Sequence, residues 1–195
     1  STLFVGNITA VFQRSVKRML AYSSISHAGY MLLTVSARQA TSNSTILFYS
    51  LTYTLATLTA FAVFKLVAEH QAGRVEKPEN FQSFEGLAKA NPFLAFCFTV
   101  SLLSLAGIPL TAGFWGKFFV FTDTFNRNII YPIILAILMS AVGIYYYFKG
   151  IIAVYFKTGE IQKIEMSTMY QVALGITTLG TLVLGLFPNL VKNLF

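Results

Sequence analysis

Two stretches of this chain, "NSTILFYSLTYTLATLTAFAVF" (43–64) and "NIIYPIILAILMSAVGIYYYF" (128–148), run past twenty residues without one Asp, Glu, Lys or Arg. An uncharged apolar run of about 18 residues or more is long enough to cross the hydrocarbon core of a bilayer as a helix. Lipid offers no partner to backbone N–H and C=O groups, so only helices and closed barrels can span it. A barrel would show weakly alternating segments of about ten residues, and these runs do not alternate. The chain is therefore read as all-α, a polytopic transmembrane helical bundle. Its charged fraction of 11% agrees, since soluble domains average about 25%.

Helices are expected at about 1–13, 16–37, 44–67, 92–107, 111–126, 129–155 and 168–187. The charged loop 68–91 separates the third from the fourth, with an amphipathic turn near 81–89 before Asn91-Pro92. Ser1 stands inside an apolar segment, so the chain is expected to be a piece of a larger protein forming one transmembrane domain over 1–195. Tyr145, Tyr146, Tyr147 and Phe148 read as an aromatic belt at the headgroup level. The net charge of +7 is spread over loops, which points to an orienting positive-inside bias and away from nucleic acid. The single cysteine, Cys97, lies in an apolar run and leaves no basis for a Cys-rich metal or iron–sulfur site.

The segment "LAGIPLTAGFWGKFFVF" (105–121) could be the middle of a two-span hairpin or one span broken at Gly107-Ile108-Pro109. Pro109 lacks an amide donor and frees the carbonyl of Leu105, while Gly107 and Gly113 weaken helix on both sides. The basic residues help to decide. A hairpin places nine of the loop Lys and Arg on one side and four on the other. A broken span moves Lys149, Lys157 and Lys163 to the basic side and Arg127 and Lys192 off it, giving ten against three. The broken span is favoured. Residues 14–18, 68–91 and 156–167 then share the cytoplasmic side.

The ionisable residues within spans are few. Lys117 lies about 12–15 Å of helix from both Pro109 and Arg127. Its neighbours at helical spacing, Gly113, Phe114, Val120 and Phe121, include no counter-charge, and Asp123 points about 240° round the helix. Such a lysine marks an ion or proton path by default, with snorkelling to an interface as the alternative. Ser23, His27, Tyr30 and Thr34 form a polar stripe on the second helix, and Thr45, Tyr49, Tyr53 and Thr57 another on the third. His27, Tyr49, Tyr53 and Thr57 are candidate relay groups; interhelical hydrogen bonding is the competing role. All seven acids fall in loops or at helix ends, so no intramembrane carboxylate is expected. No phosphate loop, nucleophile elbow or metal-ligand spacing occurs.

Three stretches carry a resemblance: "GNITAVFQRSVKRMLAYSSISHAGYMLL" (6–33), "SLAGIPLTAGFWGKFFVF" (104–121) and "LGLFPN" (184–189). Together they resemble the antiporter-like membrane subunits of respiratory complex I, and "AGIP…GFWGKF" looks like the subunit N (subunit 2) type. The basic turn and "LAYSSISHAGY" are shared with multi-subunit cation/proton antiporters, which supply the alternative function without redox coupling. The resemblance implies the C-terminal half of a fourteen-helix, inverted-repeat subunit with a discontinuous helix carrying Lys117. It implies proton translocation coupled to quinone reduction elsewhere, with NADH, FMN, iron–sulfur clusters and quinone in partner subunits and no cofactor in this chain. Sibling subunits carry His and Lys where Tyr49, Tyr53 and Thr57 stand here. The expected partners are other complex I membrane subunits, lipid and protons. The expected location is a bacterial inner membrane, or else an organellar one.

Overall fold

The structure, a computed structural model, describes residues 2–37, 41–127, 130–159 and 161–192. Ser1, Arg38, Asn128, Ile129 and Glu160, which entered the spans and counts above, lie outside the described residues, as does the side chain of Lys192. The described elements are helices α1 (Thr2–Val11), α2 (Val16–Ala37), α3 (Ser42–Gln71), α4 (Leu87–Ala90), α5 (Pro92–Ala106), α6 (Ala112–Phe125), α7 (Ile130–Phe156), α8 (Thr168–Leu186) and α9 (Asn189–Lys192). A 3₁₀ turn at Phe81–Phe84 and α4 together make the short turn expected near 81–89. α3, α7 and α8 are each long and apolar enough to cross a membrane. α3 runs one turn beyond its expected end at 67, because Glu69 and His70 continue the helix outside the apolar zone.

The contacts of α3 decide the topology of 92–126. Near its C-terminal end, Phe64 stacks on Phe84, which stacks on Phe98 of α5 at 5.2 Å between ring centroids. In mid-span, Ala56, Ser104, Leu105 and Gly113 line one small cavity. One turn closer to the N-terminus of α3, Tyr49 and Thr52 lie against Gly116, and Phe48 packs edge-on against Phe119 at 5.3 Å. At its start, Thr41 bonds Asp123. Moving along 98, 105, 116, 119 and 123 thus climbs α3 steadily from one end to the other. A hairpin would reverse that order. α5 and α6 are one discontinuous span, antiparallel to α3.

The break has a definite local chemistry. Gly107 adopts φ +81, the left-handed region open chiefly to glycine. It closes α5 with paired bonds from Ile108 N–H to Leu103 O and from Gly107 N–H to Ser104 O, both 3.0 Å, the Schellman pattern. Pro109 then prevents resumption of the same helix. Thr111 is extended and starts α6.

The basic loops gather at one end. Val16 N–H donates to Glu79 O and Phe81 N–H to Arg14 O, while Lys157 pairs with Glu85 at 3.2 Å and Arg74 reaches Gln162. The loops that hold Arg14, Arg74, Glu85, Lys157 and Gln162 therefore share one face, as the ten-to-three count requires. Packing, more than water exclusion, must hold the lipid-facing bundle together. The aromatic belt needs correction. Tyr145 and Phe148 are exposed, but Tyr146 and Tyr147 are buried. Consecutive helical residues point about 100° apart, so four in a row cannot share one face.

Candidate functional site

The junction of α5 and α6 places Lys117 inside the bundle, 6% exposed. Its Nζ donates to the carbonyl of Ala106 at 2.8 Å and to Ser140 Oγ of α7 at 3.2 Å. The same atom lies 5.2 Å from the centroid of the Tyr30 ring. The lysine therefore takes the carbonyl after Leu105, at the very end of α5. Its methylenes cover Gly107, where an added Cβ would meet Lys117 Cδ at 2.8 Å. Among the described residues no carboxylate bonds it.

These contacts replace a counter-ion with dipoles. A helix C-terminus favours a cation by about 0.3–2 kcal/mol, and a face-on aromatic ring by about 0.5–2 kcal/mol. Burying a lysine at the bilayer centre costs about 3 kcal/mol or more. The terms are of one order. Neither protonation state of the amine is held by a strong partner.

A second cluster adjoins the first through Tyr30, whose hydroxyl donates to Ala136 O at 3.1 Å. The rings of His27 and Tyr30 lie 6.2 Å apart. His27 is buried, with Nδ1 2.7 Å from the Tyr49 hydroxyl and Nε2 3.2 Å from the Tyr147 hydroxyl. Tyr53 stacks obliquely on the imidazole at 4.7 Å. Tyr147 packs on Tyr146, whose hydroxyl donates to Asn7 Oδ1 at 3.1 Å. A hydroxyl both donates and accepts, and imidazole can do either at each nitrogen. The row Tyr49–His27–Tyr147 can therefore reverse its hydrogen-bond direction as a proton passes. A cavity of about 10 Å³ beside His27, Tyr49, Tyr53 and Gly113 is close to the room one water needs.

The structure brings Lys117, His27, Tyr49 and Tyr53 together, with the break residues Gly107 and Gly113 alongside. Thr57 stands one turn beyond Tyr53, and its buried hydroxyl has no hydrogen-bond partner among the described residues. Sequence reasoning missed Ser140, Tyr146, Tyr147 and Asn7. Ser140 and Tyr147 are seven apart on α7, a spacing that marks one face of a helix. Asp123 sits in the last turn of α6 as expected, yet it is only 4% exposed. Tyr49→Phe removes the Nδ1 partner while keeping the ring. It leaves a buried ring nitrogen unpaired, at an expected cost of about 1–3 kcal/mol that thermal melting of the purified protein would register.

The family described as "NADH:quinone oxidoreductase/Mrp antiporter, TM" matches residues 1–143. The chain belongs to this family. NADH-quinone oxidoreductase subunit N of Cytophaga hutchinsonii is 42% identical over 201 residues, covering 99% of this chain and 41% of that protein. The chain thus spans about two fifths of the length of the curated relatives it matches. A chain of respiratory complex I from Thermus thermophilus superposes with TM-score 0.84 at 36% identity, over 98% of this chain and 43% of that one. The Mrp complex from Dietzia sp. DQ12-45-1b supplies a further match, TM-score 0.83 at 20% identity, over 98% of this chain and 43% of that one. At that identity the likeness is one of fold. The discontinuous α5–α6 span thus belongs to an antiporter-like bundle, and this chain is a membrane-spanning member of it.

Proposed function

We propose that this chain is part of a proton-translocating membrane subunit of NADH:quinone oxidoreductase. The observation that carries the reading is Lys117, a buried amine without a carboxylate partner among the described residues, held at the broken end of a membrane helix. On this reading Lys117 takes up and releases the translocated proton. His27, Tyr49, Tyr53 and Tyr147 relay protons toward it, with Thr57 beside that route. Gly107, Pro109 and Gly113 keep the break open so that the amine faces a helix terminus. The ammonium gains the Ala106 carbonyl and the Tyr30 ring; the neutral amine escapes the cost of a buried charge. A charge arriving nearby, even a few ångströms away, can then tip the balance by several kcal/mol.

Electron transfer from NADH through FMN and iron–sulfur clusters to quinone belongs, on this reading, to partner subunits. Other membrane subunits of the complex are the neighbours in the bilayer. The domain formed by this chain sits in a bacterial inner membrane, with loop 68–91 in the cytoplasm by the positive-inside rule.

Tagging the chain in its native host and purifying it from detergent tests the assignment. The expected result is co-purification with an assembly that oxidises NADH and reduces quinone. Recovery without such partners, together with Na⁺-dependent transport, would instead make it a stand-alone cation/proton antiporter subunit.

A further inference from the structure

We propose that Asp123 is the last proton-accepting group between Lys117 and the end of the bundle opposite the basic loops. The inference rests on the proton-translocating reading above and extends it to the route of release.

Asp123 follows Lys117 by six residues on α6, about 9 Å farther along the helix axis. Thr124, the next residue, is still fully buried, and the helix surfaces after it, with Phe125 and Arg127 exposed. Its Oδ1 accepts a 2.7 Å bond from the hydroxyl of Thr41, an exposed residue at the start of α3. Its Oδ2 is buried and has no hydrogen-bond partner among the described residues. A buried carboxylate oxygen left open is rare, because the group loses water and gains nothing in return.

A second open group lies on α2. Thr34 continues the α2 stripe one turn past Tyr30, is fully buried, and its Oγ1 also lacks a partner among the described residues. The ring of Tyr30 packs edge-on against Phe121, which registers this turn of α2 with the α6 segment between Lys117 and Asp123. Two unsatisfied buried polar atoms therefore belong to this part of the bundle, Asp123 Oδ2 and, one turn of α2 past the Tyr30–Phe121 contact, Thr34 Oγ1. Such atoms are the usual partners of internal water.

The step balances as a simple proton transfer. An N–H bond of the Lys117 ammonium breaks, and the proton passes through water to Asp123, where an O–H bond forms on the carboxylate. The amine is left neutral and the acid neutral. Asp123 then releases its proton to solvent beside Thr41. A purely structural role is the competing account, with the carboxylate fastening the N-terminus of α3, where an anion is favoured.

The two accounts separate on three variants in the intact complex, reconstituted into vesicles with quinone reduction and proton uptake followed together. Asp123→Asn keeps the shape and the acceptor for Thr41 but cannot carry a proton. It is expected to assemble and to lose the same share of pumped protons as Lys117→Ala. Asp123→Glu is expected to restore at least half of that loss. Thr41→Val, whose contact water can replace, is expected to pump within two-fold of wild type. Wild-type pumping by Asp123→Asn, failure of that variant to assemble, or equal damage from Thr41→Val would each overturn the proposal. Normal pumping by Lys117→Ala would instead overturn the reading of function on which it rests.

Discussion

Lys117→Ala is expected to leave the complex assembled and to cut proton pumping linked to this subunit at least ten-fold. The alanine removes the amine at the break and leaves the Ala106 carbonyl and Ser140 hydroxyl to water. Lys117→Arg sharpens the test. Guanidinium keeps the positive charge and can still donate to the end of α5, yet it does not give up its proton in a protein. If charge alone were needed, the arginine variant would pump. If the group must cycle, arginine should fail as badly as alanine. Measuring quinone reduction with and without an uncoupler, beside vesicle acidification, separates lost pumping from lost electron transfer. Wild-type pumping in either variant would remove Lys117 from the route.

Gly113→Val is expected to have the largest structural effect, cutting recovery of the assembled protein severely. The Gly113 N–H donates to Ser104 Oγ at 3.1 Å, and an added Cβ would overlap the Ser104 carbonyl oxygen. Backbone cannot step aside as a flexible side chain can, so α6 would have to lift off the end of α5. Overpacking of this kind costs about 1–3 kcal/mol or more, and here it also moves Lys117 off its carbonyl. Gly175→Ala in α8 is the control, because an added Cβ there meets nothing within 4 Å. It should be neutral or stabilising by about 0.5–1 kcal/mol. Equal recovery of Gly113→Val and Gly175→Ala, by size-exclusion yield and thermal melting, would show that the junction tolerates bulk.

Much of the fold was legible because the bilayer narrows the choices. Apolar runs of span length can only be helices, and their ends were marked by Asn91-Pro92, Gly107 and the basic turns. The break at 107–109 followed from glycine and proline chemistry together with a charge count. The third helix ran longer than expected, since polar residues end a membrane span without ending a helix. The tyrosine run was misjudged because composition says where aromatic residues concentrate, not which way each one faces.

For the site, the sequence determined which residues could act: an uncompensated lysine, one histidine with neutral-range chemistry, and two stripes of hydroxyls. Their helical spacing already placed each stripe on a single face. Only the tertiary structure decided which faces met. It brought Tyr147 and Ser140 from α7 onto His27 and Lys117, groups 120 and 23 residues away in the chain. It also buried Asp123 against the start of α3, which a place in the last turn of a helix does not by itself dictate. Local chemistry sets what a helix can present, but the partner of each face is set by packing across the bundle. That packing depends on every helix at once.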